Sequence, residues 1–313
     1  MARVSVVIPT FERAARLPAL VAALEAQSIP LGDFEVIVAD DGSRDETQAV
    51  LADLAARTRL ALRVVRNATN SGPGRARNLA WRSSDAPIIA FTDDDCLPDP
   101  GWLEAGLGFL EDSSVGIVQG RTLPDPSVPD KGWAKTVRIV GFSKKYETCN
   151  IFYRRAVLEE VGGFDEEIIF FGEDVVPGWK ARRLGITAEF ATEALVYHAV
   201  TYPGLRYWWR FASIHANWAT LVRRFPEMRR DLLWANAFLA RRHAALLLGV
   251  VGAVVAGTVW LPALLLAVPY LILVAPRRFR RRDFISFFAS IAFDAAVIGG
   301  MLRGSLRERA LVL

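Results

Sequence analysis

Residues 34–43 read Phe34-Glu35-Val36-Ile37-Val38-Ala39-Asp40-Asp41-Gly42-Ser43, an apolar, β-branched run that ends in two aspartates and a glycine. Such a run predicts a strand that is buried on both faces of a parallel sheet. Similar runs predict three further strands, at Val4–Ile8, Leu62–Arg66 and Pro87–Phe91. Helical apolar spacing lies between them, at Leu17–Ala26, Thr47–Ala56 and Gly74–Trp81. This alternation predicts right-handed βαβ units, and therefore an α/β fold with a Rossmann-like, mostly parallel sheet.

The predicted strands all end in polar residues, namely Thr10, Asp40-Asp41, Asn67 and Asp93-Asp94-Asp95. Because ligands of open α/β sheets bind at the carboxyl ends of the strands, we expect these side chains to meet in one site. Three consecutive aspartates repel one another unless a cation neutralises them, and their hard oxygen ligands suit Mg²⁺ or Mn²⁺. The alternative is an acidic loop that caps the next predicted helix, Pro100–Leu110, although Asp99 already stands at that N-cap.

Two loops between the strands could contact a nucleotide. Asp40 and Asp41 could accept hydrogen bonds from a base or a ribose, but Asp-Gly is equally a turn signal before a helix. The glycine-rich stretch Asn70–Asn78 opens a helix that bears Arg75 and Arg77, an arrangement that favours phosphate. The stretch matches neither a P-loop nor a dinucleotide-binding fingerprint.

Three more candidates lie in the less regular middle of the sequence. Glu173 and Asp174 open a predicted helix at about Val176–Leu184, where a carboxylate could act as a general base or could simply cap the helix. His198 follows a strand-like run and could reach a metal ion, although a single histidine is more often structural.

Cysteine usage and the N-terminus bear on the compartment. Cys96 and Cys149 cannot form a disulfide framework and lack a metal-type spacing, which favours a reducing compartment. The apolar run Val4–Ile8 is too short for the core of a signal peptide, so we expect the large domain in the cytoplasm.

The last third of the sequence is arginine-rich and then apolar. Residues 203–243 interleave arginine pairs with Trp208, Trp209, Trp218 and Trp234. Two apolar blocks follow: Ala244–Pro276, which Pro262 and Pro269 could break into a hairpin, and Phe284–Leu302, which contains one charge, Asp294. Because long apolar segments accompany the basic runs, anionic lipid headgroups explain those runs better than nucleic acid does.

These patterns predict three regions. They are a catalytic domain at 1–202, amphipathic juxtamembrane helices at 203–243 and membrane-embedded helices at 244–313. A buried helical core and tryptophan-rich helices that pack on the catalytic domain are the alternatives for the last two regions.

Six motifs in order resemble glycosyltransferase family 2 over about residues 3–200. They are Val4–Phe11, Glu35–Ser43, Gly72–Asn78, Phe91–Asp95, Gly162–Glu166 and Gly172–Asp174. The resemblance implies the A-type nucleotide-diphospho-sugar transferase fold and a divalent metal cofactor, Mn²⁺ or Mg²⁺. It also implies a UDP-, dTDP- or GDP-linked sugar as donor and an inverting, single-displacement transfer.

The resemblance implies roles for the matching residues. The donor site would be lined by Pro9, Thr10, Glu12, Asp40, Asp41, Arg77, Asp93 and Asp94. Asp93 and Asp95 would form the D-x-D motif, with Asp93 toward the ribose or sugar and Asp95 toward the metal, for which His198 is a further candidate ligand. Asp174 would be the catalytic base and Glu173 its neighbour.

Two departures from the family pattern limit what the resemblance implies. Val176 and Pro177 stand where the family often has another aspartate, which leaves the acceptor side open. The Q-x-x-R-W motif of processive synthases is absent from the sequence, which favours the addition of a single sugar.

The C-terminal region resembles that of family members that act on lipid-linked acceptors. The expected partners are therefore membrane lipids and a lipid-linked or saccharide acceptor at the cytoplasmic membrane face, and no nucleic acid. A polyprenyl-phosphate glycosyltransferase, or an inactive nucleotide-sugar-binding membrane scaffold, is the alternative.

Overall fold

The computed structural model describes residues 2–129, 133–168, 171–279 and 284–313. The chain divides into two compact units, Met1–Thr201 and Tyr202–Leu313. The first unit is built on a sheet, and the described part of the second is helical.

The described part of the first unit contains eight strands in one sheet. They are β1 (Val4–Thr10), β2 (Phe34–Asp40), β3 (Ala61–Arg66), β4 (Ile88–Thr92), β5 (Cys96–Pro98), β6 (Val115–Pro124), β7 (Asn150–Arg154) and β8 (Thr187–His198). Their order is β3-β2-β1-β4-β7-β6-β8-β5. Four strand pairs are parallel, namely β1–β2, β2–β3, β1–β4 and β6–β8. Three pairs are antiparallel, namely β4–β7, β6–β7 and β5–β8. The predicted α/β fold with a mostly parallel sheet is confirmed.

Six α-helices accompany these strands in the described residues. They are α1 (Leu17–Glu25), α2 (Thr47–Arg57), α3 (Pro73–Arg82), α4 (Trp102–Phe109), α5 (Arg155–Val161) and α6 (Val175–Arg183). The first three coincide with the predicted helices to within one residue at each end, because their apolar faces cover a sheet whose central strands are almost entirely buried.

The start of α4 differs from the prediction. The N-cap is Gly101, without a capping side chain, and the helix begins at Trp102. Asp99 instead accepts the N–H of Gly101 at 3.2 Å in a turn that precedes the helix. The argument that Asp99 is the N-cap was therefore wrong, because two turn residues separate it from the first helical residue.

Strand register brings the polar strand ends to one edge. Thr10 pairs with Asp40, and Asp40 pairs with Arg66, at the ends of three adjacent parallel strands. β4, on the other side of β1, ends at Thr92, immediately before the three aspartates.

The described helices of the second unit are α7 (Leu205–Ile214), α8 (Asn217–Arg224), α9 (Met228–Leu232), α10 (Arg241–Thr258), α11 (Val268–Phe279) and α12 (Phe284–Glu308), with a 3₁₀ helix at Leu261–Ala267. Pro262 lies in the first turn of the 3₁₀ helix and Pro269 in that of α11, where a proline needs no N–H partner.

The helix α10, the 3₁₀ helix and α11 form a hairpin, which we call the apolar hairpin (residues 241–279). A Cβ on Gly252 would lie 2.4 Å from the carbonyl oxygen of Ala263, so glycine permits the close approach of its two arms. Several large apolar side chains of this hairpin are more than half exposed: Val250, Val254, Val259, Trp260, Leu261, Leu265 and Ile272.

In α12, the segment Phe287–Glu308 is the one stretch of the described residues that is long and apolar enough to cross a membrane, with a mean hydropathy of 1.4. Asp294, the charge within it, is paired: it accepts hydrogen bonds from Arg242 Nε at 2.9 Å and Tyr270 Oη at 3.0 Å. Asp294 therefore faces helix partners.

The tryptophans of the second unit differ in exposure. Trp218 is 2 % exposed and belongs to the interior of the unit, whereas Trp209 is 69 % exposed. The burial of Trp218 does not fit a position at lipid headgroups for that side chain, whereas the exposure of Trp209 does.

Candidate active site

A cleft of about 430 Å³ opens at the carboxyl ends of the parallel strands. The ends of β1 and β4, the loop before α3 and the segment after β6 all contribute to its walls. Of the predicted site residues, those that line it are Pro9, Thr10, Asp41, Arg77, Asp93, Asp94 and Asp95.

Asp41 holds the glycine-rich loop in place. Its carboxylate accepts hydrogen bonds from the N–H of Ser71 at 3.0 Å, the N–H of Gly72 at 2.8 Å and the amide of Asn67 at 2.7 Å. The neighbouring Gly42 has φ +80°, and a Cβ there would lie 2.7 Å from the carbonyl carbon of Thr69. Glycine therefore lets the two loops touch and form one wall of the cleft.

Asp40 and Glu12 order the loop after β2. Asp40 is buried, accepts the N–H of Ser43 at 2.9 Å and lies 3.4 Å from Arg66 Nε. Glu12 is exposed, and its N–H donates to the Ser43 hydroxyl at 2.9 Å. Neither is among the residues that the structure describes as lining the cleft, and their roles beside a nucleotide stay predictions.

Asp94 is the central carboxylate of the three that follow β4, Asp93, Asp94 and Asp95, which we call the acidic cluster. It accepts a hydrogen bond from Thr10 Oγ1 at 2.7 Å, and Arg13 Nε lies 3.8 Å from its other oxygen. The pKa of Asp94 is raised to about 7, chiefly by burial and also by the charges of Asp95 and Asp93, although Thr10 and Arg13 favour the charged form. The cluster is thus short of positive charge, as expected of a cation site.

Arg77 joins the acidic cluster to the Glu173-Asp174 segment. The buried guanidinium donates to Asp93 Oδ1 at 2.8 Å and to Glu173 Oε1 at 3.2 Å. Burial lowers the pKa of Arg77, but the charges of Asp93 and Glu173 outweigh burial and hold that pKa above its ordinary value. Burial likewise raises the pKa of Glu173, an effect that Arg77 only partly offsets. Arg77 Nε and Glu173 Oε2 are buried without a hydrogen-bond partner among the described residues, so the site has polar capacity left for a ligand.

Asp174 occupies the N-cap of α6 but its side chain makes no capping hydrogen bond. The purely structural explanation of this carboxylate is therefore not supported. Burial, followed by the charge of Glu173, raises the pKa of Asp174 well above its ordinary value. Val176 and Pro177, which replace the family's further aspartate, are buried in the first turn of α6.

Asn78 fixes the segment Gly162–Glu166 against α3. Its amide donates to the carbonyl oxygen of Phe164 at 2.9 Å, and its carbonyl oxygen accepts the N–H of Phe164 at 3.0 Å. A Cβ on Gly163, which has φ +71°, would lie 2.5 Å from that same Asn78 oxygen. Gly163 thus allows the close packing that precedes the Glu173-Asp174 segment in the chain.

His198, Asp95 and Cys96 lie together at the β5–β8 pair, with one potential ligand atom of each within 4.8 Å of the others. His198 Nδ1 lies 2.9 Å from the carbonyl oxygen of Ala199, and a proton on Nδ1 leaves the lone pair of Nε2 facing Asp95 Oδ1 at 3.4 Å. Two electron-rich atoms that face each other suit two ligands of one divalent cation. Burial raises the pKa of the Cys96 thiol well above its ordinary value, so the oxygen and nitrogen donors fit Mn²⁺ or Mg²⁺ better than the thiol does.

Sequence reasoning missed two basic residues of the cleft, Arg13 and Lys135. Arg13 stands just after the first motif and could have been found from its distance to Thr10 along the chain. Lys135 lies in an irregular segment, and the sequence offers no periodicity that would bring it to the strand ends.

The sheet order, the acidic cluster after β4 and the cleft beside it define an A-type nucleotide-diphospho-sugar transferase fold. The model of the glycosyl transferase family 2 matches residues 5–164, about half of the chain. The chain belongs to this family, as the sequence resemblance predicted.

Individual relatives agree with this assignment. Glycosyltransferase AglE of Haloferax volcanii is 29 % identical over an alignment of 203 positions that covers 62 % of this chain and 66 % of that protein. Validoxylamine A glucosyltransferase of Streptomyces hygroscopicus subsp. jinggangensis is 27 % identical, and the match covers 74 % of this chain and 63 % of that protein. The chain thus spans somewhat less than two thirds of the length of these relatives.

Among solved structures, the mannosyltransferase PcManGT of Pyrobaculum calidifontis, in complex with GDP-Man and Mn²⁺, superposes with a TM-score of 0.71 at 22 % identity, covering 96 % of this chain and 87 % of that one. At 22 % identity, this similarity shows a shared fold only.

Proposed function

We propose that the protein transfers a single sugar from a nucleotide-diphosphate sugar to a hydroxyl of a lipid-linked or saccharide acceptor, with inversion at the anomeric carbon, at the cytoplasmic membrane face. The observation that carries the proposal is that Arg77, in the wall of the cleft, pairs with both Asp93 and Glu173, and Glu173 is the chain neighbour of Asp174. Arg77 thereby connects Asp93, which is suited to the donor side, with the segment that holds Asp174, which is suited to activate an acceptor hydroxyl.

The donor would lie in the cleft between the glycine-rich loop and the acidic cluster. PcManGT is described with GDP-Man and Mn²⁺, which supports a nucleotide-linked sugar as the donor here, with UDP-, dTDP- and GDP-linked sugars as the candidates. Asp95 and His198 would hold the divalent cation, Mn²⁺ or Mg²⁺, with Asp93 beside them toward the sugar or ribose. When bound, the cation would supply positive charge to the departing diphosphate.

In the transfer step Asp174 would take the proton of the acceptor hydroxyl. The hydroxyl oxygen would form a bond to the anomeric carbon while the bond from that carbon to the diphosphate oxygen breaks, and the nucleoside diphosphate leaves with the electron pair. The raised pKa of Asp174 makes it a stronger base than an ordinary aspartate. Arg77 would hold the side chains of Asp93 and Glu173 in position during this step.

The membrane part of the proposal is supported by the second unit. The exposed apolar side chains of the apolar hairpin and the spanning-length α12 suit contact with lipid. The membrane-embedded region at 244–313 and the acceptor class remain parts of this proposal.

The test is donor turnover by the detergent-purified protein with lipid extract, with and without Mn²⁺ or Mg²⁺. UDP-, dTDP- and GDP-linked sugars would be compared for the wild type, Asp95→Ala and Asp174→Asn, with the exposed Asp85→Asn as the matched control. We expect metal-dependent release of nucleoside diphosphate and labelled sugar in the lipid fraction, lost in the first two variants and kept in the control.

Two outcomes would change the proposal. Activity that survives in Asp174→Asn alone would favour a polyprenyl-phosphate acceptor, which is already anionic and needs no base. Donor binding without turnover would favour the inactive scaffold.

A further inference from the structure

Lys135 is a cation of the cleft that no family motif includes. Lys135 lines the same cavity as Asp93, Asp94 and Asp95. The residue is partly buried and lies in the segment between β6 and β7, outside the six motifs of the sequence.

Backbone hydrogen bonds fix Lys135 relative to the candidate cation site. The N–H of Lys135 donates to the carbonyl oxygen of Thr201 at 2.8 Å, and the N–H of Thr201 donates back to Lys135 at 3.1 Å. The same stretch of chain is joined to the acidic cluster, because the N–H of Ala199 donates to the carbonyl oxygen of Asp95 at 2.8 Å. Lys135 thus belongs to the frame that positions Asp95 and His198.

The charge of the cleft explains why a third cation is useful there. Arg77 lies against Asp93 and Glu173, and Arg13 lies near Asp94, so both arginines already offset carboxylates. A nucleoside diphosphate brings further negative charge, most of it on its terminal phosphate, and gains more as the bond to the sugar breaks. A lysine ammonium is a compact point charge that suits such a phosphate.

We propose that Lys135 binds the terminal phosphate of the nucleoside diphosphate and stabilises the charge that develops on it during transfer. This inference rests on the proposed nucleotide-sugar chemistry of the cleft. It assigns to Lys135 a selective role: recognition of the second phosphate rather than of the nucleoside.

The test compares nucleotides that differ by that phosphate. Affinities of the full chain for UDP and UMP, dTDP and dTMP, and GDP and GMP would be measured by calorimetry with Mn²⁺ and without acceptor. The variants are Lys135→Ala and Lys135→Gln, and the matched control is Arg138→Ala, which removes an exposed cation three residues further along the same segment. Thermal unfolding of each variant checks that it is folded.

For the diphosphate that the wild type binds, we expect about a tenfold or greater loss of affinity in both Lys135 variants, from the loss of one charge-assisted contact. The affinity of both Lys135 variants for the corresponding monophosphate should change less than about twofold. Arg138→Ala should bind both ligands with the affinity of the wild type. Equal losses for diphosphate and monophosphate, or an unchanged diphosphate affinity, would overturn the assignment. A wild type that binds none of these nucleotides would instead overturn the proposed function, and this inference with it.

Discussion

At the scale of single residues, the site depends on how a few buried charges are shared. Arg77 is buried against two carboxylates, whereas Arg75, two residues earlier on the same helix, forms an exposed pair with Glu166. Removing one partner of a buried ion pair leaves the other charges uncompensated, while an exposed pair is screened by water. The two arginines of one motif therefore differ in what they stabilise.

We predict that Arg77→Ala lowers the free energy of unfolding by about 3 kcal/mol, because Asp93 and Glu173 lose their shared partner. Arg75→Ala, the matched control, should cost less than about 1 kcal/mol. Denaturant unfolding of both variants provides the measurement. Similar values for the two would show that the Arg77 pairs contribute no more than a surface pair.

The second prediction at this scale concerns Asp174 and pH. A base must be deprotonated to act, so kcat should rise with pH through the pKa of Asp174. Because that pKa is raised, the rise should lie well above the ordinary aspartate value of about 3.9. The profile would be recorded at saturating donor and acceptor, with nucleotide affinity followed in parallel to account for Asp94. A kcat that is flat from pH 5 to pH 8, while the proton transfer is rate-limiting, would contradict the role of Asp174.

At the scale of elements, the site is made by loops that touch because glycine allows it. The Asp-Asp-Gly turn after β2 contacts the glycine-rich loop before α3, with Asp41 accepting its backbone N–H groups. Gly42 combines a left-handed φ of +80° with backbone atoms of the other loop closer than a Cβ tolerates. Gly185, after α6, has nearly the same φ of +78° but open space around it.

Comparing Gly42 with Gly185 distinguishes the cost of a left-handed backbone from the cost of a steric clash. We predict that Gly185→Ala costs about 1 kcal/mol of stability, from the left-handed backbone alone. Gly42→Ala should lower the stability by roughly 1–2 kcal/mol more than Gly185→Ala does, and should also weaken nucleoside diphosphate binding, because the contacting loop must move. Thermal unfolding and calorimetric titration of both variants would show this, and equal effects would mean that the loop contact adjusts without loss.

At the scale of the whole molecule, the two units differ in their surfaces. The first buries its apolar side chains around the sheet, whereas the apolar hairpin of the second exposes several large ones near its tip. Water-exposed apolar surface of this kind is unfavourable, and contact with lipid would remove it from water.

We predict that the hairpin tip lies in the bilayer. Leu261 is 70 % exposed, and Leu184 of the first unit is 52 % exposed, so Leu261→Cys and Leu184→Cys form a matched pair. Both native cysteines are buried and should not react with the maleimide. In freeze–thawed membrane vesicles a polar maleimide should label Leu261→Cys at least about tenfold more slowly, because hydrocarbon excludes both reagent and thiolate. Equal rates would place the tip in water.

The sequence by itself determined the strands of the parallel half of the sheet, because the central strands β1, β2 and β4 are buried and therefore mostly apolar. The predicted burial of β3 on both faces was wrong, because β3 lies at the edge of the sheet and is partly exposed. It also determined the family, since six short motifs keep their order along the chain. Asp93 and Asp95 could be proposed as site residues because they come directly after the predicted strand β4, and Asp174 because it stands at the start of a predicted helix.

Only the tertiary structure decided which of these groups touch. Arg77 was expected to face the nucleotide-sugar, and folding pairs it with Asp93 and Glu173, the latter 96 positions away. The approach of His198 to Asp95 depends on the antiparallel β5–β8 pairing, and the place of Lys135 on its bridge to Thr201. Such contacts join segments far apart in the chain, whereas sequence periodicity records only which face of its own element each side chain occupies.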